Sequence, residues 1–421
     1  MIKPFRYVDL FAGIGGLGAG FKALRGTCAL ASENDKFAAR TFRANNPGVL
    51  IDVGDIRYLN PKYVPHHDVL LAGFPCPTFS TAGISKNRSL GRPTGLDCER
   101  GQLFFEAVRI IKHKRPHVVV MENVKNLVTH DKGRTFRIVR NALKALGYKV
   151  SWRVLDAAAW VPQHRERVFI VAVKAGKPID LDGVDVPTES HWPTLSSVLH
   201  SENETAEPPF TTGTPARVNS KYTLNSPTWA FLQEHKQKSI ERFNGFGYRL
   251  AQLDGQAATL TSRYCKDGSE ILIPQPMRNP RMLTPRECAR LMGFGDDFVI
   301  PVSDTQAYKQ FGNAVCPLVS KAVATAVLKR VAFLPRYKSE LESIKVHYKF
   351  RGEPLCHLAK RSYPQILRMD IRDVNCEMCA RILADKAKVS NAFDGRYRRA
   401  VKKELRVKLA PYRKSPRIFW S

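Results

Sequence analysis

The stretch Arg6–Tyr7–Val8–Asp9–Leu10–Phe11–Ala12–Gly13–Ile14–Gly15–Gly16–Leu17–Gly18 decides how the chain folds. Arg6 to Phe11 is apolar and β-prone and reads as a strand. The glycines that follow make a tight turn into a helix opening at Gly18, and they let backbone come close to a ligand. A glycine loop after a first strand is a weak nucleotide signal, and it suits a nicotinamide cofactor equally well. Glu33, closing a second strand over Cys28–Ser32, is placed where a carboxylate holds ribose hydroxyls. After a third short strand, Asp55 and Ile56 suit an adenine ring, one through a hydrogen bond and the other through packing.

Working outward, a helix is expected through Phe37–Asn45. Strands follow at Val69–Gly73, His117–Glu122 and Val168–Val173, and helices at Gly101–Lys112 and Thr135–Leu146. Such alternation predicts an α/β fold, a doubly wound and mostly parallel sheet covered on both faces. From Lys177 to Pro280 the pattern weakens into a smaller, irregular domain with short strands and no lasting helical period. Thr284–Pro285–Arg286–Glu287 then starts a helix, with Thr as cap, Pro first and Glu third. A last amphipathic helix spans Pro317–Arg330. The expected division is 1–176, completed by 300–330, then 177–299, then a basic extension over 331–421.

The 421 residues carry 67 Lys and Arg against 38 Asp and Glu, a net charge of +29. Excess of this size points to a polyanion, because cationic side chains gain affinity by releasing counterions from phosphates. The extension holds 22 basic and 9 acidic residues, hence +13 of that total. Arg396–Arg417 has ten basic residues and one acidic, with Tyr397, Tyr412 and Trp420 close by, and reads as an arm for phosphates. Apolar runs such as Val168–Val173 are too short to cross a bilayer. With no cleavable apolar leader, a cytoplasmic protein without membrane contact is expected. Nine scattered cysteines argue against a disulfide framework, so a special cysteine should be catalytic or metal-bound.

One cysteine is special. Gly73–Phe74–Pro75–Cys76–Pro77–Thr78–Phe79–Ser80 follows the strand at Val69, and a cysteine between prolines on such a loop is no routine core residue. Met121–Glu122–Asn123–Val124 ends another strand on the same edge. In Gln163–His164–Arg165–Glu166–Arg167, alternation puts Arg165 and Arg167 on one face.

In this order, and with Leu283–Thr284–Pro285–Arg286–Glu287–Cys288–Ala289–Arg290 and Gln310–Phe311–Gly312–Asn313 closing the series, the chain resembles the bacterial C5-cytosine DNA methyltransferases over residues 5–330. The resemblance implies an S-adenosylmethionine-binding domain with a target recognition domain ahead of the closing motifs. It implies Cys76 as nucleophile toward C6 of a flipped-out cytosine, and Glu122 as the acid at ring N3. Arg165 is to hold O2, with Asn123 and Arg167 completing the catalytic set. Cofactor contacts would come from Phe11, Gly13, Gly15, Gly16, Glu33, Asp55, Ile56, Pro75 and Asn313. Two departures stand out: Pro77–Thr78 replaces the usual Gln after the cysteine, and His164 replaces a usual Lys.

Duplex DNA is the expected substrate, gripped by Ser80, Thr261, Arg263 and Tyr264, where Thr and Arg suit base edges and phosphates. A monomer is expected, with a cognate restriction endonuclease as possible partner. Transfer RNA as substrate, or a catalytically silent DNA-binding regulator, are the alternatives. In the extension, His347, Cys356, Cys376 and Cys379 have spacing that permits a small zinc site.

Overall fold

The computed structural model describes residues 2–75, 101–241, 247–266 and 268–331, together with the backbone of two short paired strands, Lys349–Phe350 and Glu353–Pro354. Every contact below lies within one compact unit, Met1–Tyr58 with His66–Phe333. Cys76, Ser80 and the four expected zinc ligands fall outside the described residues.

The α/β expectation holds. The chain runs β1 (Phe5–Leu10), α1 (Gly16–Lys22), β2 (Gly26–Glu33), α2 (Lys36–Asn45), β3 (Ile51–Val53), β4 (Val69–Ala72), α3 (Leu103–Lys114) and β5 (Val118–Val124). It continues through α4 (Arg134–Ala145), β6 (Lys149–Asp156) and β7 (Glu166–Val173). These strands form one seven-stranded sheet in the order β3-β2-β1-β4-β5-β7-β6. The chain winds one way from β1 to β3, then returns beside β1 to build β4 and β5. The β1/β4 boundary is therefore the switch point, where sheets of this kind bind ligands beyond the strands' carboxyl ends.

Two details of the sheet differ from the sequence expectation. β7 runs antiparallel to β5, with Val124 opposite Arg167. That reversal carries the start of β7, and so Arg165 and Arg167, to the carboxyl end of β5. β6 was not expected at all. It is the edge strand and only half-buried, so its alternation of Val150, Trp152 and Val154 with polar residues is a faint signal.

Glycine shapes the first helix. Gly13 and Gly15 adopt left-handed backbone, φ 57° and 95°, which side-chain-bearing residues reach only with strain. A methyl group at Gly16 would lie 2.1 Å from the Val315 carbonyl, and one at Gly20 would lie 2.4 Å from the Lys321 amide. α1 is thus packed backbone-to-backbone on the chain's last described helix, about three hundred residues away in sequence.

Beyond β7 come two small hairpins, β8 (Thr211–Thr212) with β9 (Arg217–Val218), and β10 (Ile273–Gln275) with β11 (Arg278–Arg281). Between them lies α5 (Ser226–Glu241), a helix the sequence reading did not expect. Its large apolar residues are few, Trp229, Phe231, Leu232 and Ile240, and of its residues only Leu232 and Ser239 are buried. No stripe exists for a periodicity to reveal. α6 (Pro285–Leu291) begins with the expected capping box of Thr284 and Glu287. α7 (Asp304–Asn313) and α8 (Pro317–Leu328) close the fold. Asp304–Leu328 has hydropathy high enough for a membrane span, but 67% of it is buried, as in a core helix.

Two large cores result. One lies against the sheet, where Tyr7, Leu17, Phe21 and Leu71 meet Val319 and Val323 of α8. The other gathers Leu260, Tyr264, Ile271, Leu283, Met292 and Phe311, and takes Ile14 from the glycine loop and Ala38 from α2. The glycine loop is therefore pinned between both cores. Gly20→Ala is expected to lower stability by about 1–3 kcal/mol through overpacking against α8, whereas Gly255→Ala, where the added carbon has only ordinary contacts, should be close to neutral. Urea denaturation of the two variants tests this.

Candidate active site

The switch point collects the ends of β1, β2, β4 and β5 and the reversed start of β7. Glu33 at the end of β2 accepts hydrogen bonds from the Gly13 amide (2.8 Å) and the Asp35 amide (2.7 Å). Burial pushes its carboxyl up, against those two N–H groups. An added carbon at Gly13 would have nothing within 4 Å, so the glycine loop leaves open space there. Phe11 holds a left-handed φ of 57° at the head of this loop and is half-buried.

On β3's side, Ile56 is buried, while Asp55 is already engaged by Arg57 through its amide (2.9 Å) and Nη2 (2.6 Å). Any further ligand must share the Asp55 carboxylate with that guanidinium. Asn313 is exposed at the carboxyl end of α7.

Val315 links the two halves of the switch point. Its carbonyl meets Gly16, and its side chain lies 3.9 Å from where a side chain at Gly73 would begin. The Glu122 carboxylate faces the same Gly73 position, also at 3.9 Å. Asn123 is almost wholly buried and donates from Nδ2 to the Phe74 carbonyl (3.0 Å). This bond fixes the chain where it leaves β4, through Pro75, and the next residue is Cys76. The Glu122 Oε1 pairs with Arg167 Nε at 3.1 Å. Burial raises the Glu122 carboxyl, and the attraction of Arg167 and Arg165 opposes it without prevailing.

Arg165 is buried and works as a brace. Nη1 donates to the Leu260 carbonyl (2.9 Å), and Nη2 donates to the carbonyls of Gly312 (2.9 Å) and Ala314 (2.8 Å). Its own amide is held by Asp156 (2.7 Å), which also meets His164 Nδ1 (2.8 Å). Next to it Gln163, wholly buried, donates to the Leu291 carbonyl (2.7 Å) and accepts from the Leu260 amide (3.0 Å). Sequence reasoning assigned no work to Gln163 or Asp156. Gln163 could have been found as a polar residue sitting among motif positions, while Asp156 depended on seeing β6.

The residues expected to grip DNA divide. Arg263 is exposed, and Thr261 hydrogen-bonds Glu270. Tyr264 corrects the expectation: it is wholly buried, donates to the Ile271 carbonyl (2.8 Å) and accepts from the Leu283 amide (2.7 Å). Its hydroxyl is spent inside the core, so it supports the turn bearing Arg263 and presents no edge to a ligand. Among the described residues no group of three His, Cys, Asp or Glu is placed to hold a metal ion.

Asp9, at the end of β1, is buried beneath the glycine loop. A methyl group at Gly18 would lie 2.7 Å from its Oδ2. Burial, outweighing the Gly18 N–H, pushes its carboxyl up to about 8.

The family model of the C-5 cytosine-specific DNA methylases matches residues 5–329. The chain is 43% identical over 328 residues to "Type II methyltransferase M.SsoII" of Shigella sonnei, covering 77% of this chain and 80% of that protein. It is 40% identical over 348 residues to "Type II methyltransferase M.DsaV" of Dactylococcopsis salina, with coverage of 80% and 89%. Among solved structures, the Entamoeba histolytica methyltransferase EhMeth matches in fold, with TM-score 0.59 at 16% identity over 79% of this chain and all of that one.

The Asp9 environment makes a pH prediction. An unfolded aspartate ionises near 4, so between about pH 4 and 8 only the folded state keeps this proton, and stability falls as pH rises. Asp9→Asn removes that dependence. Denaturation across this range should show the variant gaining on wild type by at most about 1.4 kcal/mol per pH unit, levelling off above pH 8.

Proposed function

The chain belongs to the C-5 cytosine-specific DNA methylase family and is a DNA (cytosine-5)-methyltransferase, and from that premise we propose how its residues carry the reaction. The observation that supports the scheme best is the convergence of Glu33, the Asn123–Phe74 clamp and the Glu122–Arg167 pair on one sheet edge.

The residues present fit S-adenosylmethionine. Glu33, a half-buried carboxylate held by the Gly13 amide of the glycine loop, is suited to ribose hydroxyls. Phe11 at the head of the loop suits the sulfonium, whose positive charge is attracted to an aromatic face. Ile56, and Asp55 shared with Arg57, line the adenine end, with Gly15, Gly16, Pro75 and Asn313 completing the enclosure. When bound, the cofactor supplies an electrophilic methyl group.

Cytosine C5 is a weak nucleophile, so electrons must first enter the ring. The Cys76 thiolate adds to C6, forming an S–C bond and making C5 enamine-like. Glu122, its carboxyl raised by burial, gives a proton to ring N3 as negative charge develops there. Arg167 holds the Glu122 carboxylate once that proton has gone. C5 would take the methyl group as its bond to the cofactor's sulfur breaks to leave a neutral thioether; a base then removes the C5 proton, its electron pair expels Cys76 as thiolate, and the N3 proton returns to Glu122. Asn123 acts as a positioning residue by fixing the carbonyl two residues before Cys76. Arg165 shapes the pocket for O2 through its brace. The base is reached only by flipping it from the duplex.

We assign cofactor binding to 1–176 with 300–330, target recognition to 177–299, and added phosphate contacts to the basic extension. Duplex DNA is the substrate in this reading. The Type II names of its relatives point to a cognate restriction endonuclease.

Purified protein, methyl-labelled S-adenosylmethionine and duplex DNA test the scheme. Label should appear at C5 of cytosine in a defined sequence, vanish in Cys76→Ala, and fall by about 10²–10⁴ in Glu122→Gln. Duplex carrying fluorine at C5, which blocks the final proton loss, should leave protein covalently joined to DNA through Cys76. Label on transfer RNA alone would overturn the substrate, and absence of the adduct would overturn the covalent route.

A further inference from the structure

The β10–β11 hairpin ends in a two-residue tip, Pro276–Met277, between the paired residues Gln275 and Arg278. Met277 is fully exposed and left-handed, φ 56°. Proline followed by a residue of positive φ is the pattern of a turn whose third position favours Gly or Asn. This chain instead puts a long apolar side chain there, straight into solvent. Such a placement costs the fold twice, in backbone strain and in exposed apolar surface.

The tip is also held still. Gln275 Nε2 donates across the hairpin to the Asn279 carbonyl (2.7 Å) and to Thr223 Oγ1 (3.0 Å). Asn279 Nδ2 donates to the Leu224 carbonyl (3.0 Å). The base of the hairpin is tied to Tyr264, next to the exposed Arg263, through Ile271 and Leu283. Met277 stands at a shallow, open surface hollow shared with Ser220, Thr223, Arg278 and Asn279. Arg278 is exposed and makes no hydrogen bond or ion pair through its side chain among the described residues.

Resting on the reading of duplex DNA as substrate, we propose that this tip is a DNA-reading element separate from the Arg263 turn. Met277 enters a groove and packs against base edges, while Arg278 holds an adjoining phosphate. The charge of the occupant follows from Arg278, which has no side-chain partner among the described residues, and from the +29 balance of the chain. The apolar Met277 beside hydroxyl and amide groups matches a groove floor, where thymine methyls and base-edge acceptors alternate. A rigid tip contributes affinity because little freedom is lost when it docks.

Three full-length variants test it: Met277→Gly, Met277→Ala and Arg278→Ala. Each is measured for Tm, for duplex Kd with and without the mapped methylation sequence, and for kcat and KM. Met277→Gly relieves the turn, so its Tm should equal or exceed that of wild type. Its Kd and KM for the mapped duplex should still rise about fivefold, with kcat unchanged and a smaller effect on unrelated duplex. Met277→Ala should match it in binding without the gain in Tm. Arg278→Ala should weaken both duplexes alike and lower the slope of log Kd against log salt by about 0.9. Wild-type duplex binding in all three variants overturns the proposal, as does a loss confined to kcat. If wild type binds duplex but transfers no methyl group, the proposed function falls while Kd still decides the tip.

Discussion

One buried guanidinium holds the site together. Arg165 stands just before β7, yet its two terminal nitrogens are bonded to backbone carbonyls from Leu260 and from the α7–α8 junction, Gly312 and Ala314. These three places are up to about 150 residues apart in sequence. A cation taken from water is costly unless hydrogen-bonded, and carbonyls in fixed positions meet that need at both terminal nitrogens only when all three segments are in place. The same residue therefore fixes the sheet edge, the stretch leading to Arg263, and the turn carrying Val315, which touches both the glycine loop and Gly73. A lysine, with a point charge and no planar fork, does not reproduce that geometry.

Carboxylates at strand ends form the other half of the design. Asp9, Glu33 and Glu122 all lie at strand ends on the switch-point edge, and burial raises all three. They differ in what faces them. Glu33 is committed to two amides, Asp9 to the packing under α1, and Glu122 to Arg167, which leaves Glu122 the one suited to exchanging a proton. Beyond the sheet, Arg281 and Glu287 form a buried bidentate pair at 2.7 and 2.8 Å, and Glu287 also accepts from the His200 and Thr284 amides. Arg286 pairs with Glu207, and Arg290 with Glu204. These bonds make α6 the anchor for segments that lack a continuous sheet of their own.

Much of this was legible in the sequence, and the reasons are physical. Strands buried on both faces read as apolar runs, so β1, β4 and β5 were plain. The Thr284 cap announced α6 because its chemistry is local. Legibility failed where tertiary contacts decide. β6 is a half-buried edge, the direction of β7 is set by pairing, and α5 lacks an apolar stripe. Tyr264 looked like a surface residue because a tyrosine beside an arginine gives no local sign that its hydroxyl closes two buried bonds. Arg165 was legible as a site residue, but its three carbonyl partners were not, since they come from two segments 95 and up to 149 residues further along the chain.

Amide hydrogen exchange of Arg165→Lys, with methyl transfer followed in the same preparation, tests the central role of the brace. Loss of the fork should speed exchange about tenfold or more in both Thr259–Ser262 and Gly312–Val315, since each 1.4 kcal/mol of lost local stability is a factor of ten, and transfer should fall with it. Loss of transfer with wild-type exchange in both segments would contradict the account and leave Arg165 acting on the base alone.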